Sequence, residues 1–161
     1  MKKIYYLIAT LVLVVIFASA SGNISSDSRI GNAAPNFTIG NNDEVVTLNQ
    51  FRGKYVLLNI WSSADAESRL ENMRLNKLVA GSDKVVQMAV NFDRSRALFS
   101  EVITSDSLDV SGQFYCEVQD RPQFHKKWGT DNQSYCTFLI NDKGVVVAVN
   151  PNDKELAKVM R

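Results

Sequence analysis

The chain has 161 residues, of which 45% are hydrophobic and 22% charged, and its formal net charge is +1. This is the composition and length of one ordinary globular domain. The chain has no low-complexity tract and no internal repeat, and its near-neutral charge gives no indication of a nucleic acid or an anionic surface as a partner.

The first twenty residues have the pattern of a secretory signal peptide. Lys2 and Lys3 precede an apolar run from Ile4 to Ala20 that ends in the small-x-small sequence "ASA". We expect residues 1–20 to be cleaved and the mature protein to be periplasmic or extracellular, with no membrane contact. The run is at the short limit of a membrane-spanning helix, so an uncleaved membrane anchor is the alternative.

The polar segment "SGNISSDSRIGNAA", residues 21–34, is typical of a flexible linker, and it leaves residues 35–161 as the folded domain. The β-rich runs "NFTIG" and "EVVTLNQ" flank the turn signal "NNDE" and predict a β-hairpin. The nearly continuous apolar run Tyr55–Trp61 predicts a strand that is buried on both faces in the middle of a sheet.

The remaining elements alternate between helix and strand before ending in a hairpin. Helical spacing runs from Asp65 to about Val79, with Gly81 as a stop, and "KVVQMAVNF" predicts a second buried strand. Then follow "SRALFSEVI" as a helix, "QFYCEV" as a strand, and "RPQFHKKWG" as a helix between Pro122 and Gly129. "YCTFLIND" and "GVVVAVN" form a hairpin around "DKG", and "DKELAKVM" closes the chain as a helix. This order predicts an α/β fold with a central mixed sheet and helices on both faces.

Three stretches resemble a known family. "GNAAPNFTI" and "EVVTLNQFRGKYVLLNIWSS" resemble the opening of exported thioredoxin-like proteins of the TlpA/ResA branch, which are related to the AhpC/TSA peroxiredoxins. "TFLINDKGVVVAV" resembles the last two strands of the same family. The resemblance covers Gly31 to the C-terminus, and it implies a thioredoxin-like fold and, in the family generally, thiol–disulfide oxidoreductase activity.

The chain departs from the family pattern at the residues that carry the chemistry. When the sequences are aligned on Trp61, the two cysteines of the family's CxxC motif correspond to Asp65 and Ser68. The family's second tryptophan corresponds to Ala64, and its cis-proline corresponds to Tyr135. We therefore expect no catalytic residue at Asp65 or Ser68.

Asp65 and Ser68, which stand in place of the two cysteines, cannot perform thiol–disulfide exchange. This reaction needs a thiolate that attacks a disulfide and a second thiol that resolves the mixed disulfide. The helix N-terminus would make a cysteine at position 65 reactive, whereas it stabilises the Asp65 carboxylate by ~0.3–1 kcal/mol. "DAES" is thus also a good helix start. We further expect a trans Ser134–Tyr135 bond and a groove partly filled by the phenol ring.

The two cysteines leave a second possibility open. Cys136 follows the position of the groove proline, so it is a candidate for a relocated thiol, although a free cysteine is more often a small apolar residue of a buried strand. In this family two strands would separate the Cys116 strand from the Cys136 strand, which amounts to roughly 14 Å. We expect no disulfide between them, because one needs Cα atoms within about 7 Å.

No other cluster of residues indicates a site. His125, the only histidine, is expected to be exposed, and a lone histidine cannot supply a zinc site. Asp65, Glu67 and Glu71 could be placed around a cation, but Glu67 and Glu71 are i, i+4 neighbours on a helix, and a solvated acidic face explains them as well. Asn59 occupies the place where many thioredoxins carry a buried acid. We expect no metal and no cofactor.

These observations favour a non-catalytic domain of the cell envelope that binds an exported peptide or protein. The expected binding residues are Trp61, Ala64, Asp65, Ser134 and Tyr135. One alternative is a thiol–disulfide oxidoreductase of altered type, acting in cell redox homeostasis through one of the two cysteines. Another is a structural accessory of an envelope assembly. We expect the chain not to be an enzyme and, if it is one, to be a thiol oxidoreductase.

Overall fold

The computed structural model describes residues 29–41, 44–130 and 135–161, so the expected signal peptide lies outside the described residues. The elements in chain order are β1 (Thr38–Asn41), β2 (Glu44–Thr47), β3 (Tyr55–Trp61), α1 (Ala66–Val79), β4 (Val85–Asn91), α2 (Arg96–Ser105), β5 (Gln113–Tyr115), α3 (Arg121–Trp128), β6 (Thr137–Ile140), β7 (Val146–Val149) and α4 (Asp153–Met160). Within these ranges, no helix has both the length and the apolar composition needed to cross a membrane.

Five strands form a mixed sheet in the order β5-β4-β3-β6-β7. β3 pairs with β4 in parallel and with β6 antiparallel, while β5 extends the parallel side and β7 the antiparallel side. The central position of β3 confirms the prediction from its apolar run, and Leu57, Leu58 and Ile60 are all 0% exposed. β1 and β2 form the predicted N-terminal hairpin, with Thr38 opposite Thr47.

Both faces of the sheet are covered by helices, as predicted. Val56, Leu58 and Ile60 point to the face that carries α3 and the hairpin. Leu57 and Trp61, at the alternating positions of the same strand, point to the face covered by α1, α2 and α4. A strand with apolar side chains on both faces can be stable only in such a three-layer arrangement.

The edge of β7 is covered by the chain that precedes the hairpin. The Gly31 N–H donates to the Val146 carbonyl oxygen at 2.8 Å, and the Val146 N–H donates to the Asn32 carbonyl oxygen at 3.0 Å. Residues 29–34 were expected to belong to the linker, but they pack on the domain, because an open sheet edge offers unpaired backbone groups. The rest of the expected linker, residues 21–28, lies outside the described residues.

Candidate functional site

The corner between β3 and α1 is held by its own hydrogen bonds. Asp65 is the N-cap of α1, with φ −108° and ψ 110°, and its Oδ1 accepts from the Ser68 N–H at 2.7 Å. Ser68 Oγ accepts from the Ser62 N–H at 3.2 Å and lies 3.2 Å from the Asp65 carbonyl oxygen. The helix-start interpretation of "DAES" is thus confirmed. The two positions that correspond to the family's cysteines now cap the helix and close the turn before it.

A buried carboxylate lies beneath this corner, and sequence analysis did not single it out. Asp93 is 2% exposed, and its Oδ1 accepts from Ser62 Oγ at 2.8 Å and from the Ser63 N–H at 2.7 Å. Arg121, at the start of α3, donates to the carbonyl oxygens of Asp93 and of Phe92, the latter at 2.9 Å. Because β3 and β4 are parallel, the residues that follow the two strands meet at one edge of the sheet. The contact between Ser62 and Asp93 could therefore have been predicted from the two strands.

An open groove with a volume of about 1360 Å³ lies beside the corner. The N-terminal half of α1, the start of β6 and the turn between β7 and α4 form its walls. Asn59, which is 1% exposed, is one of its lining residues and donates from Nδ2 to Thr137 Oγ1 at 3.1 Å.

Asp65 and Tyr135 are the two expected binding residues that line this groove. Tyr135 is half-buried and packs against the core beneath α3, so its ring forms part of the groove wall. No hydrogen bond joins Tyr135 to another described residue. Ser134, and with it the expected trans Ser134–Tyr135 bond, lies outside the described residues.

Trp61 and Ala64, which were also expected to bind, do not line the groove. Trp61 is 0% exposed, and its ring centroid lies 6.5 Å from that of Phe99 on α2. The alternation of β3 turns this side chain into the core between the sheet and α2. Ala64 is exposed in the loop before α1, but it is not part of the groove wall.

Comparison with known protein families matches residues 29–159 to Redoxin. The chain belongs to the Redoxin family. The match includes the capped corner, the groove and the whole five-stranded sheet, and it confirms the resemblance to thioredoxin-like and AhpC/TSA-related proteins.

Three known proteins are similar to this Redoxin chain in sequence or in structure. A thiol peroxidase from Listeria innocua is 24% identical over 136 residues, which cover 77% of this chain and 78% of that protein. A thioredoxin-like protein from Parabacteroides distasonis is 34% identical with a TM-score of 0.61, covering 67% of this chain and 80% of that one. The thioredoxin domain of a thiol-disulfide oxidoreductase from Bacteroides vulgatus is 21% identical with a TM-score of 0.71, covering 84% and 100%, and shares the fold.

Both cysteines of this Redoxin chain are buried, and neither forms a disulfide. The strand order places β4 and β3 between the strands next to Cys116 and Cys136, as expected. Burial raises the pKa of the Cys116 thiol to about 12, so this residue is a poor nucleophile at neutral pH. Cys136 is 9% exposed and borders the groove, and its carbonyl oxygen accepts from the Ile60 N–H at 2.9 Å.

His125 is buried, so the expectation that it would be exposed was wrong. It is 8% exposed, its Nδ1 lies 2.9 Å from Thr130 Oγ1, and its ring packs edge-on against Phe92. The face of α3 that packs on the sheet includes this residue.

On the groove side of α1, Glu71 pairs with Arg74 at 2.7 Å. Across the part of the chain that the structure describes, no group of three or more His, Cys, Asp or Glu side chains could hold a metal ion.

Proposed function

We propose that the chain is a non-catalytic thioredoxin-like domain that binds an extended segment of an exported peptide or protein in its groove. The observation that carries this proposal is the Asp65 cap. The residue at the position of the family's attacking cysteine is a carboxylate whose Oδ1 is engaged by the Ser68 N–H. A carboxylate can neither attack a disulfide nor form one, so the fold would keep its groove while losing its reaction.

The backbone at Tyr135 supports binding of an extended segment. Its neighbour Cys136 is paired with β3 through Ile60, whereas no hydrogen bond joins the Tyr135 backbone to another described residue. A peptide that lies in the groove can therefore use these backbone groups in the manner of an added strand. The half-buried Tyr135 ring offers an apolar wall for one of its side chains.

The proposal includes export of the protein to the periplasm or the extracellular medium. The N-terminal segment with Lys2, Lys3 and "ASA" supports export, with a mature chain that starts near Ser21. N-terminal sequencing of exported material would test it, and a start at Met1 would contradict cleavage.

Two assays on the purified protein test the proposed function. Insulin reduction in the presence of dithiothreitol should not exceed the rate without the protein. A labelled insulin B chain with blocked cysteines should bind, as measured by fluorescence anisotropy. Tyr135→Ala should weaken this binding, whereas Val45→Ala, a control in the exposed hairpin strand β2, should not. Equal affinity of all three proteins would contradict binding in the groove.

A second candidate is thiol chemistry at Cys136, because this residue borders the groove next to Tyr135. Its thiolate would attack a disulfide of the bound partner, form a mixed disulfide and release the partner's other sulfur as a thiolate. An outside thiol, as its thiolate, would then attack the mixed disulfide, form a disulfide with the partner's sulfur and release the Cys136 thiolate. Dithiol turnover that disappears in Cys136→Ser would favour this candidate over the non-catalytic domain. Turnover that survives the loss of both cysteines would indicate contamination, since the chain has no other thiol.

A further inference from the structure

The described residues that line the groove carry more negative than positive charge. Among them are four carboxylates, from Asp65, Glu67, Glu71 and Asp153, and two guanidinium groups, from Arg29 and Arg74. Arg74 pairs with Glu71 at 2.7 Å and with Asp153 at 3.2 Å, so both of these carboxylates already have a cationic partner, although the three groups together keep one negative charge. The Arg29 guanidinium donates to the Trp128 carbonyl oxygen at 3.1 Å. Among the described residues that line the groove, Asp65 and Glu67 at the N-terminal end of α1 are the two carboxylates that form no ion pair.

The spare hydrogen-bonding capacity at this end consists of acceptors. Glu67 is exposed and forms no ion pair within the described ranges. Asp65 uses Oδ1 for the helix cap, while its Oδ2 has no partner among the same residues. Asn59, which is 1% exposed, lines the groove, and its Oδ1 has no hydrogen-bond partner. A buried acceptor without a donor costs about 1–3 kcal/mol, so a ligand that brings N–H groups gains from filling it.

An apolar side chain stands next to these acceptors. Leu70 lines the groove and is 65% exposed, although it lies in the middle of α1. It follows Glu67 by three positions, so both side chains lie on the same face of the helix. A carboxylate beside an exposed leucine matches the side chain of lysine or arginine, which has an apolar stem and a charged, donor-rich end.

From this arrangement we infer that the groove selects extended segments that carry a lysine or arginine, whose cationic end binds at Glu67 and Asp65 while its stem packs on Leu70. The inference rests on the proposed function, because it names the class of segment that the groove binds. The preference depends on the side chains of Asp65, Glu67 and Leu70, all of which line the groove.

Selection from a library of random nonapeptides tests peptide binding and the preference for a basic residue separately. The protein expressed from its full-length sequence is immobilised, and the enriched peptides are sequenced. Parallel selections use Glu67→Gln, which keeps the shape of the side chain, and the control Glu101→Gln, which removes an exposed carboxylate of α2 outside the groove. The tightest peptide and its counterpart with alanine at the basic position are then compared by fluorescence anisotropy, at low and at high salt.

We expect the wild type and Glu101→Gln to enrich peptides with a basic residue at one fixed position, and Glu67→Gln to lose this preference. The affinity of Glu67→Gln for the basic peptide should fall by up to about fivefold, the upper limit for an exposed ion pair, while its affinity for the alanine peptide stays unchanged. Enrichment without a basic preference, or a preference that Glu67→Gln retains, would overturn the inference and leave the proposed function standing. Failure to enrich any peptide would overturn both.

Discussion

The hydrogen bond that caps α1 can be removed with little change to the shape of the corner. In Asp65→Ala the Ser68 N–H loses the acceptor that it now has at 2.7 Å. In Asp65→Asn an amide oxygen can take the same place while the charge is lost, so this variant is the matched control. Ser68 is 5% exposed, so water has little access to replace the missing acceptor.

The expected decrease in the free energy of unfolding follows from the interaction that each variant loses. Loss of an N-cap side chain costs about 1 kcal/mol, in a range of about 0.5–2 kcal/mol. The low exposure of Ser68 places Asp65→Ala in the upper part of that range, at about 1.5 kcal/mol. Asp65→Asn loses only the interaction of the charge with the helix dipole, about 0.5 kcal/mol. In a chain of this size, these losses correspond to a fall in Tm of about 3–6 °C for Asp65→Ala and about 1–2 °C for Asp65→Asn.

Thermal and urea unfolding followed by far-UV circular dichroism would measure both variants against the wild type. The order of stability should be wild type, Asp65→Asn, then Asp65→Ala. If both variants lost equal stability, the charge rather than the cap would matter. If neither lost any, the hydrogen bond to Ser68 would not stabilise the helix, and the structural explanation for an aspartate at this corner would be refuted.

Three further predictions concern α1 and the buried thiol. The double variant Asp65→Cys with Ser68→Cys should form a disulfide on oxidation, because the two residues lie within one tight turn, and its intact mass should fall by two hydrogens. The Arg69 guanidinium holds the pKa of Asp106 below its usual value through hydrogen bonds of 2.8 and 2.6 Å. This ion pair therefore stabilises the fold above the unfolded-state pKa of about 3.9, and the stabilisation is lost as pH falls through the lower folded-state pKa. Asp106→Asn should cost about 0.5–1 kcal/mol in urea unfolding at neutral pH, a figure kept small by solvent screening of the partly exposed Arg69, and much less in strong acid. Because burial raises the pKa of Cys116 to about 12, a thiol reagent at mildly alkaline pH should label this residue only after unfolding.

Each of these predictions has an outcome that contradicts it. Two free thiols in the oxidised double variant would mean that the corner does not bring the side chains together. An equal effect of Asp106→Asn at neutral and at strongly acidic pH would show that lost packing, and not the ion pair, causes the destabilisation. Fast labelling of Cys116 in the folded Cys136→Ser variant would show that the thiol is accessible.

Local sequence patterns determined most of the elements of this protein. The apolar run Tyr55–Trp61 is sufficient to indicate a central strand, because it places apolar side chains on both faces of the strand, and six of its seven residues are buried. "DAES" indicates a helix start and "DKG" indicates a hairpin, since caps and turns depend on residues only a few positions apart. The absence of a CxxC motif follows directly from the sequence, and it was the basis for expecting a domain without the family's chemistry.

Only the tertiary structure decided which side chains reach the groove. The packing of α2 on the sheet buries Trp61, and the packing of α3 buries His125. Asn59 contacts Thr137 across 78 positions of sequence, and Asp93 comes to lie beneath Ser62 because two parallel strands end at one edge. Such contacts depend on strand order and on the direction of each side chain, which are set by burial of the whole core, and no local pattern of residues records them.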